Sequence, residues 1–222
     1  DAGGGFYCYN NSGPTLTNVT ISDNMASDAG GGFYCASSSG PILMNSISWN
    51  NLPQEIYFFG FHEPCSITVS FSDIQGGEEE IETNANGTIN WLEGNIDVDP
   101  LFTNPENEDF SLQEGSPCID TGTYYFEYGG EVLINLQESD YVGSAPDMGA
   151  IEFESACPEL GDINGDGGWN VLDIVLLANC VLSENCSDIT NGCAGDMNGD
   201  EGWNVLDIVL LANCVLSESC GP

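Results

Sequence analysis

A duplicated segment in the last third of the chain constrains its fold more than any other feature. The sequence that begins at Gly161 returns at Gly195, and the two copies differ at only three positions. One folding unit is therefore used twice, and we expect both copies to have the same structure. The differences are Ile163/Met197, Gly167/Glu201 and Asn185/Ser219.

Each copy opens with oxygen-bearing residues at positions 1, 3, 5, 7, 9 and 12 of a loop. This spacing lets one turn of chain surround a hard cation with six or seven oxygens. With three carboxylates and no thiolate or imidazole, each loop favours calcium over zinc or copper. The alternative, an Asx-rich turn without metal, explains two full matches poorly. The predicted ligands are Asp162, Asn164, Asp166, Gly168 (backbone carbonyl), Asn170 and Asp173 in the first copy, and Asp196, Asn198, Asp200, Gly202, Asn204 and Asp207 in the second.

The apolar run VLDIVLLANCVL follows each loop. It is too short to span a bilayer but long enough for about three helical turns. Its apolar residues lie nearly all the way round such a helix. Two of these helices packed together therefore leave hydrophobic surface for a third body, either the rest of the chain or a partner. Trp169 and Trp203, at loop position 8, are predicted to pack between the two loops.

The two loops, each closed by Asp and followed by a single helix, resemble dockerin domains. These are calcium-binding modules that attach bacterial extracellular proteins to cohesin partners, and the resemblance implies two bound Ca²⁺ ions. Cellulosomal dockerins often carry Ser or Thr at loop positions 10 and 11, where this chain has Val171 and Leu172, and Val205 and Leu206. The basic residues usual later in the helix are also missing. The calcium ligands therefore carry over directly, whereas the cohesin-binding residues do not.

The chain contains neither lysine nor arginine. Against this, 36 of its 222 residues are acidic, which gives a formal net charge of -36. Such a surface repels nucleic acids and anionic membranes, so neither is expected as a partner. No segment is suited to membrane insertion. Metal cations are the natural counter-charge.

Ten cysteines without a CxxC pair or a His-Cys metal spacing predict disulfides in an oxidising compartment. We therefore predict an exported protein that works outside the cell or on its surface. Six of the cysteines lie in the last domain, where 15 connectivities are possible. The pairing that respects the duplication joins Cys157 to Cys193, Cys180 to Cys186, and Cys214 to Cys220.

A second repeat occupies the start of the chain. The segment that opens at Asp1 returns 27 residues later at Asp28, with the same glycine triplet and FYC tripeptide. Short β-rich pieces separated by turn residues at this period predict a parallel β-solenoid, in which each coil stacks on the previous one. Stacked coils lie about 4.8 Å apart, so Cys8 and Cys35 are predicted to lie at a spacing that a disulfide can bridge.

The elements WNN, SFSDIQGG, GNIDVDPLF, SLQEGSPCIDTG and PDMGAIEF resemble the terminal portion of bacterial right-handed parallel β-helix proteins of pectate-lyase-like architecture. The resemblance spans residues 1–153. It implies a mainly β fold, in which a right-handed parallel β-helix with a C-terminal cap region precedes a small α-helical dockerin-like domain over residues 154–222. Cys65 and Cys118 remain in the first domain, and we predict that they pair with each other.

Many proteins of this architecture cleave acidic polysaccharides, so catalysis is one alternative. Lyase chemistry of the pectate-lyase type needs a basic residue, and this chain has no lysine or arginine. Hydrolysis by two carboxylates stays open, but each candidate pair flanks a turn beside Gly or Pro, which favours a structural role. We therefore predict no enzymatic activity. The residues assigned structural roles are Asp97 with Asp99, Asp120 with Asp147, His62, Trp49 and Trp91.

The chain begins inside a repeat, so the first coil presents an open edge. Either upstream coils precede it, or another molecule covers its unpaired backbone groups. A head-to-tail contact between copies does not close on itself and produces a filament. Our hypothesis is a secreted, calcium- and disulfide-stabilised structural protein that assembles in this way. The alternative is a β-helix that binds or processes polysaccharide, tethered by its dockerin-like module to a cohesin-like or cell-surface protein.

Overall fold

The computed structural model describes residues 1–154, 157, 159–200 and 202–217. The chain divides into two compact units, Asp1–Glu154 and Ser155–Pro222. This division lies one residue beyond the predicted domain boundary. Among the helices of the described residues, none has the length and apolar character needed to cross a membrane.

The first unit begins with three parallel sheets, and each sheet is built from strands of successive coils. The first sheet contains β1 (Phe6–Tyr9), β4 (Phe33–Ala36) and β7 (Ile56–Phe58). The second contains β2 (Thr15–Thr17), β5 (Ile42–Met44), β8 (Cys65–Ser70) and β10 (Gly87–Trp91). The third contains β3 (Thr20–Ser22), β6 (Ile47–Trp49) and β9 (Asp73–Ile74). The coils form a parallel β-solenoid of about three turns, which confirms the predicted fold class.

The sequence repeat sets the register of the first two coils. Phe6 lies opposite Phe33 and Thr15 lies opposite Ile42, and the members of each pair are 27 residues apart, as predicted. Equivalent side chains therefore stack along the solenoid, and the rings of Phe6 and Phe33 lie nearly parallel with their centroids 5.0 Å apart. The third coil is shorter, since Ile56 lies opposite Phe33.

The glycine triplets recur because adjacent coils approach each other closely there. A Cβ atom on Gly4 would lie 2.6 Å from the carbonyl oxygen of Gly31, and one on Gly31 would lie 2.4 Å from the backbone nitrogen of Leu52. Any side chain would push the coils apart. The turn between the second and third sheets uses Asn18 and Asn45 with φ of 52° and 47°, a conformation that Asn tolerates better than most residues.

Two antiparallel hairpins follow the coils. The first pairs β11 (Phe102–Asn104) with β12 (Asp109–Leu112), and the second pairs β13 (Tyr125–Tyr128) with β14 (Glu131–Asn135). Phe102 and Leu112 pack with Ile47, Cys118 and Met148 in a core cluster separate from the one inside the coils. The first hairpin is thereby fixed to the third parallel sheet.

The four cysteines of this unit are buried free thiols. Cys8 lies in register with Cys35, as the stacking predicts, but both are free thiols and no disulfide joins them. The prediction that Cys65 pairs with Cys118 is wrong. A disulfide requires neighbouring backbone positions, but Cys65 lies in the cluster inside the coils, whereas Cys118 packs beside the hairpins.

The second unit contains two helices of equal length, α1 (Val171–Ser183) and α2 (Val205–Ser217), which contact each other. Equivalent residues are buried in both, including Leu177 and Leu211. The disulfides Cys157–Cys193 and Cys180–Cys186 are present, as predicted. The predicted Cys214–Cys220 pair involves a cysteine, Cys220, that lies outside the described residues.

Candidate metal centre

The first loop directs its side-chain oxygens onto its own backbone. Both carboxylate oxygens of the buried Asp162 accept hydrogen bonds, from the amides of Asp166 at 3.1 Å and Gly167 at 2.9 Å. Asn164 Oδ1 accepts from the Asp166 amide at 2.8 Å, and Asp166 Oδ1 accepts from the Gly168 amide at 3.0 Å. Loop positions 1, 3 and 5 are therefore linked in one network.

Asp173 joins this loop to helix α1. Its Oδ1 accepts from the Asn164 amide at 3.1 Å and its Oδ2 from the Asn170 amide at 2.9 Å. Asn170 Oδ1 in turn accepts from the Leu172 amide at 2.8 Å, which completes a capping box. The last predicted ligand of the loop thus also fixes where the helix begins.

The second loop repeats most of these bonds. Asp196 Oδ1 accepts from the amides of Gly199 at 2.8 Å and Asp200 at 3.2 Å. Asp207 Oδ2 accepts from the Asn204 amide at 2.8 Å, as its counterpart does in the first loop. The two loops therefore present their predicted ligands in the same order and on equivalent elements.

One carboxylate oxygen distinguishes the second loop. Asp207 is fully buried, and its Oδ1 has no hydrogen-bond partner among the described residues. A buried polar atom left without a partner costs about 1–3 kcal/mol, and more when it is charged. A cation at this oxygen removes that penalty, and loop position 12 is where a calcium loop requires a carboxylate. The second loop therefore fits Ca²⁺.

The donors of each loop are mixed in kind. Within the part of the chain that the structure describes, no three Asp, Glu, His or Cys side chains are grouped so as to hold a metal by themselves. Each loop instead alternates carboxylates with asparagine side chains and a glycine carbonyl. A donor set made only of oxygens suits a hard cation such as calcium and excludes the thiolate sites preferred by softer metals.

The two copies pack on each other reciprocally. A Cβ atom on Gly161, just before the first loop, would lie 2.9 Å from Leu211 Cδ1 of α2. A Cβ atom on Gly195, just before the second loop, would lie 2.7 Å from Leu177 Cδ1 of α1. Each helix therefore covers the start of the other copy's loop, so the loops and helices form a single core.

The loop tryptophans anchor the chain that precedes each loop. The indole N–H of Trp169 donates to the Leu160 carbonyl oxygen at 3.1 Å, and that of Trp203 donates to the Gly192 carbonyl oxygen at 2.8 Å. Both rings lie beside the glycine before their own loop, Gly161 for Trp169. These contacts give the tryptophans a structural role in the module.

Both helices expose apolar side chains at equivalent positions, and we call these side chains together the paired apolar face. Val171 and Leu172 are 63% and 59% exposed, and Val205 and Leu206 are 64% and 59% exposed. The sequence predicted such uncovered surface. The members of the paired apolar face are Val171, Leu172, Val175, Leu176 and Leu182 of α1, and Val205, Leu206, Val209, Leu210 and Leu216 of α2.

The carboxylates considered for hydrolysis accept hydrogen bonds from backbone amides. Asp97 Oδ1 accepts from Gly76 at 3.0 Å, and Asp99 Oδ1 accepts from Leu101 at 3.0 Å. Asp120 Oδ1 accepts from the Ser144 amide at 2.7 Å. The buried Asp147 accepts from the Asp120 amide at 2.8 Å. The exposed His62 packs against the rings of Tyr9 and Phe59.

Two buried carboxylates of the solenoid were not predicted. Burial raises the pKa of Asp73 to about 7. Hydrogen bonds from the Val98 amide and the Cys118 thiol oppose this rise, because they stabilise the charged carboxylate. Burial also raises the pKa of Glu55, which accepts from the Ser48 hydroxyl and Asn51. The alternating strand SITVSFSD places Asp73 two residues after Phe71, but no local signal indicates that the following coil covers it.

Two loop-helix copies with oxygen donors at calcium-loop spacing and a shared core define a duplicated calcium-binding module. The family model described as the dockerin type I domain matches residues 160–216. Dockerin domains bind calcium and cohesin partners, and they occur in extracellular or cell-surface proteins. The predicted dockerin-like module is therefore confirmed. No curated protein and no solved structure matches the chain.

Proposed function

We propose that this protein is an extracellular protein whose duplicated module attaches it to a cohesin-type partner in a calcium-dependent manner, through the paired apolar face. The observation that carries this proposal is the position of Val171, Leu172, Val205 and Leu206. They are exposed, and in each copy they lie between the asparagine at loop position 9, which caps the helix, and the aspartate at position 12, which closes the loop. Two calcium sites, one in each loop, are part of the proposal.

The loop residues connect metal binding to the shape of this face. Asp162, Asp166 and Asp173 would hold the ion in the first loop, and the bound ion supplies positive charge that offsets their mutual repulsion. Asp173 also accepts from the Asn170 amide at the start of α1. Ordering the loop therefore orders the first turn of the helix, where Val171 and Leu172 lie.

The chemistry of the face indicates the chemistry of the partner. Both helices lack basic residues, because the whole chain does, so no salt bridge to a partner's carboxylates is available. The exposed residues near the helix starts are valine and leucine at equivalent positions. The partner surface is accordingly apolar at its centre, and burial of these side chains drives the association.

The test is binding of the full chain to a panel of type I cohesin modules, measured by calorimetry with calcium and with chelator. Val171→Asp combined with Val205→Asp should abolish binding and leave the calcium-dependent stability of the module unchanged. Val132→Asp, at a residue of the second hairpin of the first unit that is 52% exposed, is the matched control. Binding that persists in chelator, or that the control weakens equally, would overturn the proposal.

Head-to-tail assembly into filaments remains a second proposal, on which the structure of one copy has no bearing. Electron microscopy of the full chain in calcium and after chelation tests it. Filaments that dissociate on chelation support a calcium-gated assembly, whereas separate particles in both conditions reject it.

We further propose that the protein has no catalytic activity. The amide contacts of Asp97, Asp99, Asp120 and Asp147 support structural roles for these carboxylates. Release of reducing sugar from polysaccharides that is lost in Asp120→Asn or Asp99→Asn would contradict this.

A further inference from the structure

A groove on the solenoid unit lies where the third parallel sheet meets the first hairpin. One wall is formed by the ends of the stacked strands β3 and β6, with Asp23, Trp49 and Asn50. The opposite wall comes from the segment around β11 and from the residue after β12, with Asp99, Phe102 and Gln113. Its volume is about 310 Å³, at the small end of the range of about 300–1,000 Å³ that is usual for ligand sites.

The first wall is built by contacts between adjacent coils. The Asn50 side-chain amide donates to Asp23 Oδ1, and the Asn50 backbone amide donates to Gln75 Oε1 at 2.7 Å. The Ser22 hydroxyl donates to the Trp49 carbonyl oxygen at 2.9 Å, which joins the two strand ends. The polar groups of this wall are therefore held in place by hydrogen bonds between coils.

Three side-chain oxygens that line the groove are open to accept hydrogen bonds. Asp99 Oδ1 accepts from the Leu101 amide, but Asp99 Oδ2 has no partner among the described residues. The same holds, within those residues, for Asn50 Oδ1 and for Gln113 Oε1, because both side-chain amides donate through their nitrogens only. The second N–H of each of these two amides also has no partner among the described residues, so a ligand rich in hydroxyl groups, which both donate and accept, suits the groove.

The aromatic residues that line the groove indicate a second property of the ligand, an apolar face. Trp49 is partly buried and packs against the core cluster that contains the buried Phe102, and both residues line the groove. Aromatic rings bury apolar surface and present a flat face. The ligand therefore combines an apolar face with hydroxyl groups around its edge, and a pyranose ring has this combination.

Charge decides between neutral and anionic ligands. Two carboxylates line the groove and no lysine or arginine exists anywhere in the chain, so an anionic ligand meets a repulsion that no basic side chain offsets. We propose that this groove binds a neutral sugar unit of a glycan, with C–H groups against Trp49 and hydroxyls donating to Asp99, Asn50 and Gln113. An acidic polysaccharide, the ligand class that the fold resemblance suggests, is disfavoured by the same repulsion.

This inference is independent of the proposed attachment function, because the groove belongs to the solenoid unit and none of its residues lies in the duplicated module. Failure of one proposal therefore leaves the other standing. A protein with both properties would hold a neutral glycan with one unit and a partner protein with the other.

The experiment is calorimetric titration of the full chain, in calcium, with neutral hexasaccharides of β-1,4-linked glucose, mannose or xylose. A hexasaccharide of galacturonic acid serves as the anionic probe, and spermidine serves as the cationic probe. We expect at least one neutral probe to bind and the galacturonate probe not to bind.

Variants then locate the site. Trp49→Ala should weaken binding of the neutral probe at least tenfold. Asp99→Asn removes a charge at an exposed position while keeping an acceptor for the Leu101 amide, and it should weaken binding several-fold without loss of folding. Tyr124→Ala is the matched control, since this tyrosine is also exposed, is 57% accessible and lines a different groove of the same unit. It should leave affinity within twofold of the wild type.

Three results would overturn the proposal. The first is the absence of binding by every neutral probe. The second is a loss of affinity in Tyr124→Ala as large as that in Asp99→Asn, which would place the sugar elsewhere. The third is binding of spermidine alone at the groove, lost in Asp99→Asn, which would identify a cation site.

Discussion

The two units of this chain contain the same kind of carboxylate and hold it in opposite ways. The solenoid buries Asp73, Glu55 and Asp147 among backbone amides, hydroxyls and a thiol, and burial raises the pKa of each. The duplicated module gathers its carboxylates in two loops of oxygen donors that fit a cation. A chain without lysine or arginine has no side-chain counter-charge. It therefore relies on protonation and amide hydrogen bonds in one unit and on a metal in the other.

Removal of calcium should produce the largest difference in stability between the two units. We expect chelation to lower the stability of the module by about 5 kcal/mol, the value for two sites each at about a hundred times its Kd, because the ligand carboxylates then repel each other. The solenoid transition should not move. Differential scanning calorimetry with and without chelator measures this, and chelator already saturated with calcium is the control. Equal shifts of both transitions would show that the metal does not distinguish the units.

A core substitution in the solenoid should have the reverse effect, lowering the stability of the solenoid and leaving that of the module unchanged. Phe33 is fully buried and its ring stacks on Phe6, so Phe33→Ala should lower solenoid stability by about 3–5 kcal/mol. The calcium-sensitive transition should stay in place. Phe61→Ala, at a phenylalanine that is 89% exposed, is the matched control and should change little. A loss in the module transition would contradict the separation into two units.

Acidification should act on the units with opposite sign. The folded-state pKa of Asp73, about 7, lies above its ordinary value of 3.8, so the folded solenoid binds the proton more tightly than the unfolded chain. Its contribution is therefore present at low pH and is lost as pH rises through about 7. Between pH 5 and pH 8 we expect solenoid stability to fall by on the order of 2 kcal/mol. The module should instead lose calcium, and stability, on acidification.

Asp73→Asn tests the solenoid part of this expectation. The variant keeps an oxygen to accept from the Val98 amide but cannot titrate, so its denaturant midpoint should change less between pH 5 and pH 8 than that of the wild type. Thr68→Ser, at another buried polar residue of the coils that does not titrate, is the control. An unchanged pH slope in Asp73→Asn would assign the effect to other carboxylates.

The smallest expected effect compares the two loops. Both carboxylate oxygens of Asp173 accept backbone hydrogen bonds, whereas only one oxygen of Asp207 does so among the described residues. In chelator, Asp173→Asn turns an NH₂ group towards a donor and should cost about 1 kcal/mol more than Asp207→Asn. Thermal unfolding followed by circular dichroism measures the difference. Equal losses would show that the two loops have the same network.

Repeats in the sequence determined those features of the structure that depend only on the spacing between equivalent residues. The 27-residue repeat predicts that Phe6 lies opposite Phe33, because stacked coils of equal length keep equivalent residues in register. The duplication likewise predicts two equal loop-helix copies. The pairing of Cys180 with Cys186 also follows from it, since these cysteines are close in sequence and recur as a unit.

The tertiary structure alone decided which distant residues meet. Cys118 packs beside Asp73 and not with Cys65, because the chain after the coils forms hairpins that the repeat does not describe. The groove between Trp49 and Asp99 depends on the same hairpins. Among the described residues Asp207 Oδ1 has no hydrogen-bond partner, although the two loop sequences are nearly identical. Sequence spacing fixes neighbours along the chain and between equal coils, whereas contacts between unlike segments depend on how their surfaces pack.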